Sequence, residues 1–187
     1  SKPPLIRGLA NKSVGDFNSI GIRLYQKSNN YKEIYKTLSK KIDSVKNELQ
    51  PIATKYNGDL KARVKDEAKI KEKLAVKKEL TPQNIPDWLG ARISVNTITE
   101  AKLLLDELNK TYKVIEIDDF LDDVGRTQRK NPTEYRRMHN QVLTKDGFSF
   151  ELQISLKELN PIIDKSHAVY KKITYQRDSM SMDEWNK

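Results

Sequence analysis

Between Tyr31 and Ile52 the apolar residues Tyr31, Ile34, Leu38, Ile42, Val45, Leu49 and Ile52 recur at three- and four-residue steps, with lysines frequent among the positions between. That spacing matches the 3.6-residue turn and predicts a long amphipathic helix with a lysine-rich outer face. Pro51, which has no amide hydrogen, is expected to end or kink it. Residues 1–29 mix Pro, Gly, Asn and Ser with short apolar clusters, which predicts a loosely built lead-in with one short helix. After the turn signal Asn57-Gly58, Leu60 to Val64 reads as a strand, and Asp66 is placed to cap a charged helix reaching about Glu79. Thr81 to Pro86, with two prolines, reads as a loop. Ala91 to Asn96 alternates as a strand with Ile93 and Val95 on one face and Arg92 and Ser94 on the other.

Thr97 or Thr99 opens the next helix, whose inner stripe is Ile98, Ala101, Leu104, Leu105 and Leu108, and Tyr112 to Ile117 returns to strand character. Asp118 to Thr133 is rich in charge and turn formers and reads as a long loop of the kind that often carries function. His139 to Thr144 and Phe148 to Ser155 read as two strands joined through Asp146-Gly147, a strong hairpin signal. A last helix is expected from about Leu156 to Tyr175, with Pro161 in its first turn and Leu159, Ile162, Ile163, Val169 and Ile173 facing inward. This order predicts an α/β (α+β) fold with a mixed, mostly antiparallel sheet, helices on at least one face and the other face open.

Composition narrows the chemistry. A chain of 187 residues with 36% hydrophobic content suits one ordinary domain. Cysteine is absent and only two histidines are present, so disulfides and thiolate metal sites are excluded and zinc lacks its usual ligands. No apolar run approaches the roughly 18 residues of a membrane span and the start lacks a secretory core, so a soluble domain with no membrane partner is expected. The opening Ser1-Lys2-Pro3-Pro4 is compatible with processing or with excision from a longer polypeptide. Thirty-five Lys and Arg against 26 Asp and Glu, a formal charge of +9, favour anionic partners such as nucleotides or RNA, although a merely soluble basic surface would look the same.

In the hairpin, Phe148, Phe150, Leu152 and Ile154 share one side, so Ser149, Glu151 and Gln153 share the other. Glu151 therefore projects away from the core. A carboxylate on a rigid strand suits Mg²⁺, and a second carboxylate would complete the protein's share of the ligands. Asp87, in Asp87-Trp88-Leu89-Gly90-Ala91-Arg92, is the best candidate. Taken singly, Asp87 reads as a turn aspartate and Glu151 as a solvated strand residue. Arg63-Val64-Lys65 places two cations on one face of a strand and Lys73 follows one helix later, a set suited to polyphosphate or equally to surface solubility. Tyr135-Arg136-Arg137-Met138-His139 offers an aromatic plane, two guanidinium groups and an imidazole, which can stack a base and hold phosphates; a structural tyrosine and a strand-end histidine are the plainer alternative.

The order of these motifs, closed by His167 and Tyr170-Lys171, resembles the synthetase domain of the RelA/SpoT family over residues of about 60 to 172. The resemblance implies a nucleotidyltransferase-like fold. It divides the chain into an N-terminal helical extension (1–57), a synthetase domain (58–176) and a tail (177–187). It implies an enzyme that moves the pyrophosphate of ATP, with Mg²⁺, to a ribose 3′-hydroxyl of a purine nucleotide, making alarmones of the (p)ppGpp or (p)ppApp kind. Arg63 and Arg92 would sandwich the adenine of ATP, with Lys65 and Lys73 on its phosphates. Asp87 and Glu151 would hold Mg²⁺ and act catalytically, Glu151 also helping to deprotonate the attacking hydroxyl. Tyr135 would stack on the acceptor base, with Arg136, His139 and Gln153 on the acceptor side.

Thr133-Glu134 stands where the family has asparagine-glycine, and Arg137-Met138 where it has serine-leucine, so the acceptor stays open among GDP or GTP, adenine nucleotides and the 3′ end of tRNA. Arg137 would add a donor there. The histidine-aspartate motif of the companion hydrolase is missing, so a synthesis-only enzyme is expected. Some members are toxins, and a lone basic domain fits an effector acting in the cytoplasm after delivery, partnered by an antitoxin or immunity protein. A catalytically inactive basic RNA-binding or phage-structural module is the competing expectation from another class.

Overall fold

The computed structural model describes residues 12–119 and 137–165. Its first helix, α1 (Tyr31–Lys55), opens at Asn30, whose side chain accepts the Glu33 amide at 3.1 Å. The cap answers one of the amides a helix start leaves without a partner. Asn30→Ala is therefore expected to lower stability by about 1 kcal/mol, read as an earlier midpoint in urea unfolding at unchanged slope. The inner stripe is as the spacing predicts, with Ile34, Leu38, Val45, Leu49 and Ala53 buried. Contrary to expectation, the helix runs through Pro51. Leu49 and Ala53 on either side have no exposed surface, so burial of this turn outweighs the lost amide bond. Residues 12–29 contain no helix, and the rest of the lead-in lies outside the described residues.

Five strands follow: β1 (Asp59–Val64), β2 (Leu89–Val95), β3 (Lys113–Asp119), β4 (Arg137–Leu143) and β5 (Ser149–Leu156). They form one sheet in the order β1-β2-β5-β4-β3. Only the β2–β5 pairing is parallel, so the sheet is mixed and mostly antiparallel, as expected. Gly58 makes the entry to β1 possible, since a Cβ there would lie 2.8 Å from Ile93 Cγ2. Strand β2 starts at Leu89, earlier than its alternation suggests, because Leu89 and Gly90 pair with Val64 and Arg63. Asp66 caps helix α2 (Glu67–Val76), which stops short of Glu79. Thr97 caps helix α3 (Ile98–Thr111); Ala101, Leu104 and Leu108 are buried, whereas Ile98 at the first turn is exposed. Strand β5 continues through Leu156, and a short 3₁₀ turn (Lys157–Leu159) precedes helical residues 160–165, with Pro161 near their start as expected. The remainder of the expected last helix and most of the expected Asp118–Thr133 loop lie outside the described residues.

Leu38, Leu49, Ala101, Leu104 and Leu108 from α1 and α3 join Ala91, Ile93, Leu152, Ile154 and Val142 of the sheet in one core. Helix α1 thus packs into the same core as the strands. Residues paired across neighbouring strands point the same way. The opposite face therefore carries two polar rows: Arg63, Gly90, Glu151 and Gln141 in one, and Lys61, Arg92, Gln153 and His139 in the next.

Candidate functional site

Asp87 is held by its neighbour. Trp88 is fully buried, its indole N–H donates to the Pro82 carbonyl at 3.0 Å, and its own carbonyl accepts the Lys65 amide at 2.7 Å. The preceding loop folds as a 3₁₀ turn (Pro82–Asn84) closed by Thr81 and Asn84, and Gln141 of β4 donates to the Pro86 carbonyl at 3.0 Å. Asp87 is thereby fixed at the mouth of β2, where the end of β1 brings Lys65 into an ion pair with it and α2 brings Lys73 Nζ to 3.7 Å. One buried oxygen, Oδ1, has no hydrogen bond. Burial alone would raise the Asp87 carboxyl, but Lys73 and then Lys65 hold it below the usual carboxylate range.

Glu151 sits in the adjacent strand, opposite Gly90. Gln153 Nε2 donates to its Oε1 at 2.7 Å, and His139 Nδ1 lies 3.7 Å from its Oε2. Burial again pushes this carboxyl up and Asp87's charge pushes the same way, yet hydrogen bonding and charge from His139, with Gln153, bring it below the usual range. The two carboxylates that the sequence separates thus lie within each other's field. Both are ionised at neutral pH. Because both folded values are depressed, their stabilising contribution is present above the ordinary carboxylate range and is lost as pH falls through the folded values. Thermal stability is expected to hold between about pH 6 and 8 and to drop on acidification below about pH 4, a drop that Asp87→Asn makes shallower in calorimetry.

The surface between these groups is open: a Cβ added at Gly90 would meet nothing within 4 Å. Arg63 borders it from the edge strand. Arg92 stands diagonally across from Arg63, since it pairs with Lys61 two positions away. Oxygen ligands from two carboxylates within each other's field, one with an unbonded buried oxygen, fit Mg²⁺, which takes one or two carboxylates and fills its shell from water and substrate phosphates. Among the described residues no cluster of three or more acidic or histidine ligands forms a fuller cage. A cavity of about 560 Å³ lies instead on the helical side, lined by Val45, Glu48, Tyr112 and Phe150, and includes none of these groups.

The structure therefore brings together Arg63, Lys65, Lys73, Asp87, Arg92, His139, Glu151 and Gln153, whereas Tyr135, Arg136 and His167 lie outside the described residues. Arg137 behaves differently from its sequence reading. Instead of facing an acceptor it is buried and bonds Asp164 Oδ1 at 2.7 Å. Asp164 and Asn160 were missed as partners, although their four-residue spacing within the expected last helix would place both on one face.

Residues 62–177 match the family described as "Region found in RelA / SpoT proteins". A search of curated proteins finds no match. Among solved structures, a GTP pyrophosphokinase family protein from Streptococcus pneumoniae superposes with a TM-score of 0.63 at 22% identity, covering 83% of each chain. The small alarmone synthetase 1 from Bacillus subtilis, bound to its product pppGpp, gives 0.59 at 20% identity over 81% of this chain and 90% of that one. The Type VI effector Tas1, solved with its immunity protein, gives 0.53 at 19% identity over 70% and 63%. At these identities the likeness is one of fold. No helix among the described residues is long and apolar enough to cross a membrane.

Proposed function

The chain belongs to the RelA/SpoT pyrophosphokinase family, and on that premise we propose that it transfers the pyrophosphoryl group of ATP to the ribose 3′-hydroxyl of a purine nucleotide, with Mg²⁺ held by Asp87 and Glu151. The observation that carries this reading is the convergence of Asp87, Glu151, Lys65 and Lys73 beside the open surface over Gly90. In the reaction the acceptor 3′-oxygen forms a bond to the β-phosphorus of ATP, the bond from that phosphorus to the bridging oxygen on the α-phosphate breaks, and AMP leaves. The hydroxyl proton passes to Glu151 or through it to water. A bound Mg²⁺ supplies neutralising charge to the transferred phosphates. Lys65 and Lys73 now both engage Asp87, and both are within reach of a polyphosphate entering beside it, where they act as point charges. Diagonal neighbours on an antiparallel pair stand roughly 7–8 Å apart, enough for Arg63 and Arg92 to lie on the two faces of an adenine ring. His139 and Gln153 fix the Glu151 carboxylate, border the acceptor side and leave the protein little covalent work beyond alignment.

The test is incubation with γ-labelled ATP and Mg²⁺ and, separately, GDP, GTP, ADP, AMP, ATP or bulk tRNA. Label on one purine nucleotide with equimolar AMP supports the reading and names the acceptor. Label on tRNA alone replaces the nucleotide acceptor with RNA, which the +9 charge would favour. No transfer and no AMP would leave the inactive RNA-binding module. A toxin role, with an immunity or antitoxin partner, is the further part of the proposal, and its support is the fold shared with Tas1. Cytoplasmic expression of the native chain is then expected to arrest bacterial growth while Asp87→Asn does not; harmless expression of an active native chain would sink it.

A further inference from the structure

One end of the polar face carries a hydrogen-bonded network of which the chemistry above uses only Arg92. Arg137, at the first position of β4, has a side chain only 5% exposed. Room for it comes from two small residues in the same row, Ser155 opposite it on β5 and Ser94 beyond on β2, whose hydroxyls lie 3.0 Å apart. The guanidinium reaches Asp164 Oδ1 at 2.7 Å and Asn160 Oδ1 at 3.4 Å, and Asn160 Nδ2 donates to Ser94 Oγ at 2.8 Å. The same Asp164 oxygen accepts Arg92 Nη1 at 3.3 Å.

Asp164 is 54% exposed, and a pair between it and Arg92 alone would be an ordinary surface contact, easily broken. Its second partner changes that. Arg137 is buried, and its bond at 2.7 Å holds the carboxylate from the inside. A guanidinium bonded in its plane to a fixed carboxylate loses rotational freedom while both flat faces stay available for stacking.

We propose that Asp164 is a positioning residue for the nucleotide donor: gripped by Arg137, it fixes the plane of Arg92 so that a face of that guanidinium is presented to the adenine of ATP. The inference rests on reading Arg92 as one of the two base-facing arginines. It assigns Arg137, one of the departures from the family pattern, to donor binding and away from the acceptor.

The experiment is binding of α,β-methylene-ATP, whose bridge cannot be cleaved by this transfer, and of inorganic tripolyphosphate, which has no base, each by calorimetry with Mg²⁺ on protein shown to be folded. Arg92→Ala is expected to weaken α,β-methylene-ATP about tenfold. Asp164→Asn is expected to weaken it about fivefold, leave tripolyphosphate within about twofold, and add less than about twofold in the Arg92→Ala background, because both changes remove one coupled interaction. Asp164→Glu should recover most of the loss. Equal weakening of both ligands, an undiminished Asp164→Asn effect without Arg92, or no effect of Asp164→Asn would each overturn the proposal. If Arg92→Ala itself leaves α,β-methylene-ATP binding unchanged, the base-facing reading of Arg92 fails and takes the proposal with it. That outcome differs from failure of Asp164 alone.

Discussion

Glu151→Gln is expected to lower pyrophosphoryl transfer by about 10³-fold or more while leaving the protein folded and able to bind nucleotide. The substitution keeps shape and the bond to Gln153, and removes only the charge. On the proposed mechanism, with it go one of the two anionic oxygen ligands for Mg²⁺ and the acceptor for the hydroxyl proton. Stability should change little, because loss of the His139 contact is offset by relief of repulsion from Asp87. Single-turnover transfer of γ-label, compared with α,β-methylene-ATP affinity, separates chemistry from binding. Residual transfer within tenfold of the native rate would remove Glu151 from the reaction.

Trp88→Ala is expected to cost about 3–5 kcal/mol, a large part of the roughly 5–15 kcal/mol that holds a domain of this size. Trp88 has no exposed surface, packs edge-on against Tyr31 of α1 at 6.2 Å and satisfies its indole N–H on Pro82. Truncation leaves a cavity at the junction of α1 and β2 and removes the anchor beside Asp87, so activity should fall even where the variant is folded. Trp88→Phe fills most of the space and loses only the hydrogen bond and the remaining contacts, with an expected cost of about 1–2 kcal/mol. Urea unfolding of both variants checks the ranking; a cost below about 1 kcal/mol for alanine would mean that the site collapses around the gap.

The periodic elements were legible in the chain. Spacing located α1 and its buried stripe, and the alternation around Phe150, Leu152 and Ile154 placed Glu151 on the correct side of β5. Where local rules failed, tertiary packing had won: Pro51 stays helical because Leu49 and Ala53 beside it are buried, and Leu89 joins a strand because β1 pairs with it. The parallel contact of β2 with β5 has no local signature, so the meeting of Asp87 with Glu151 was visible only through the order of motifs. Arg137 misled because a basic residue beside a tyrosine-arginine pair reads as a ligand contact, while its burial depends on two serines on other strands and an aspartate beyond β5. Tyr135 and Arg136 lie outside the described residues.

Strand order also sets when the proposed site can exist. Strand β5 is inserted between β2 and β4, so the sheet is completed by a segment that follows every other described strand. A polypeptide emerging from the ribosome has Asp87, both lysines and the arginine pair well before Glu151 has been made, and the edge of β2 then lacks the neighbour that supplies the second carboxylate. Until β5 has been made and seated in that gap, the proposed metal site lacks one of its two carboxylates.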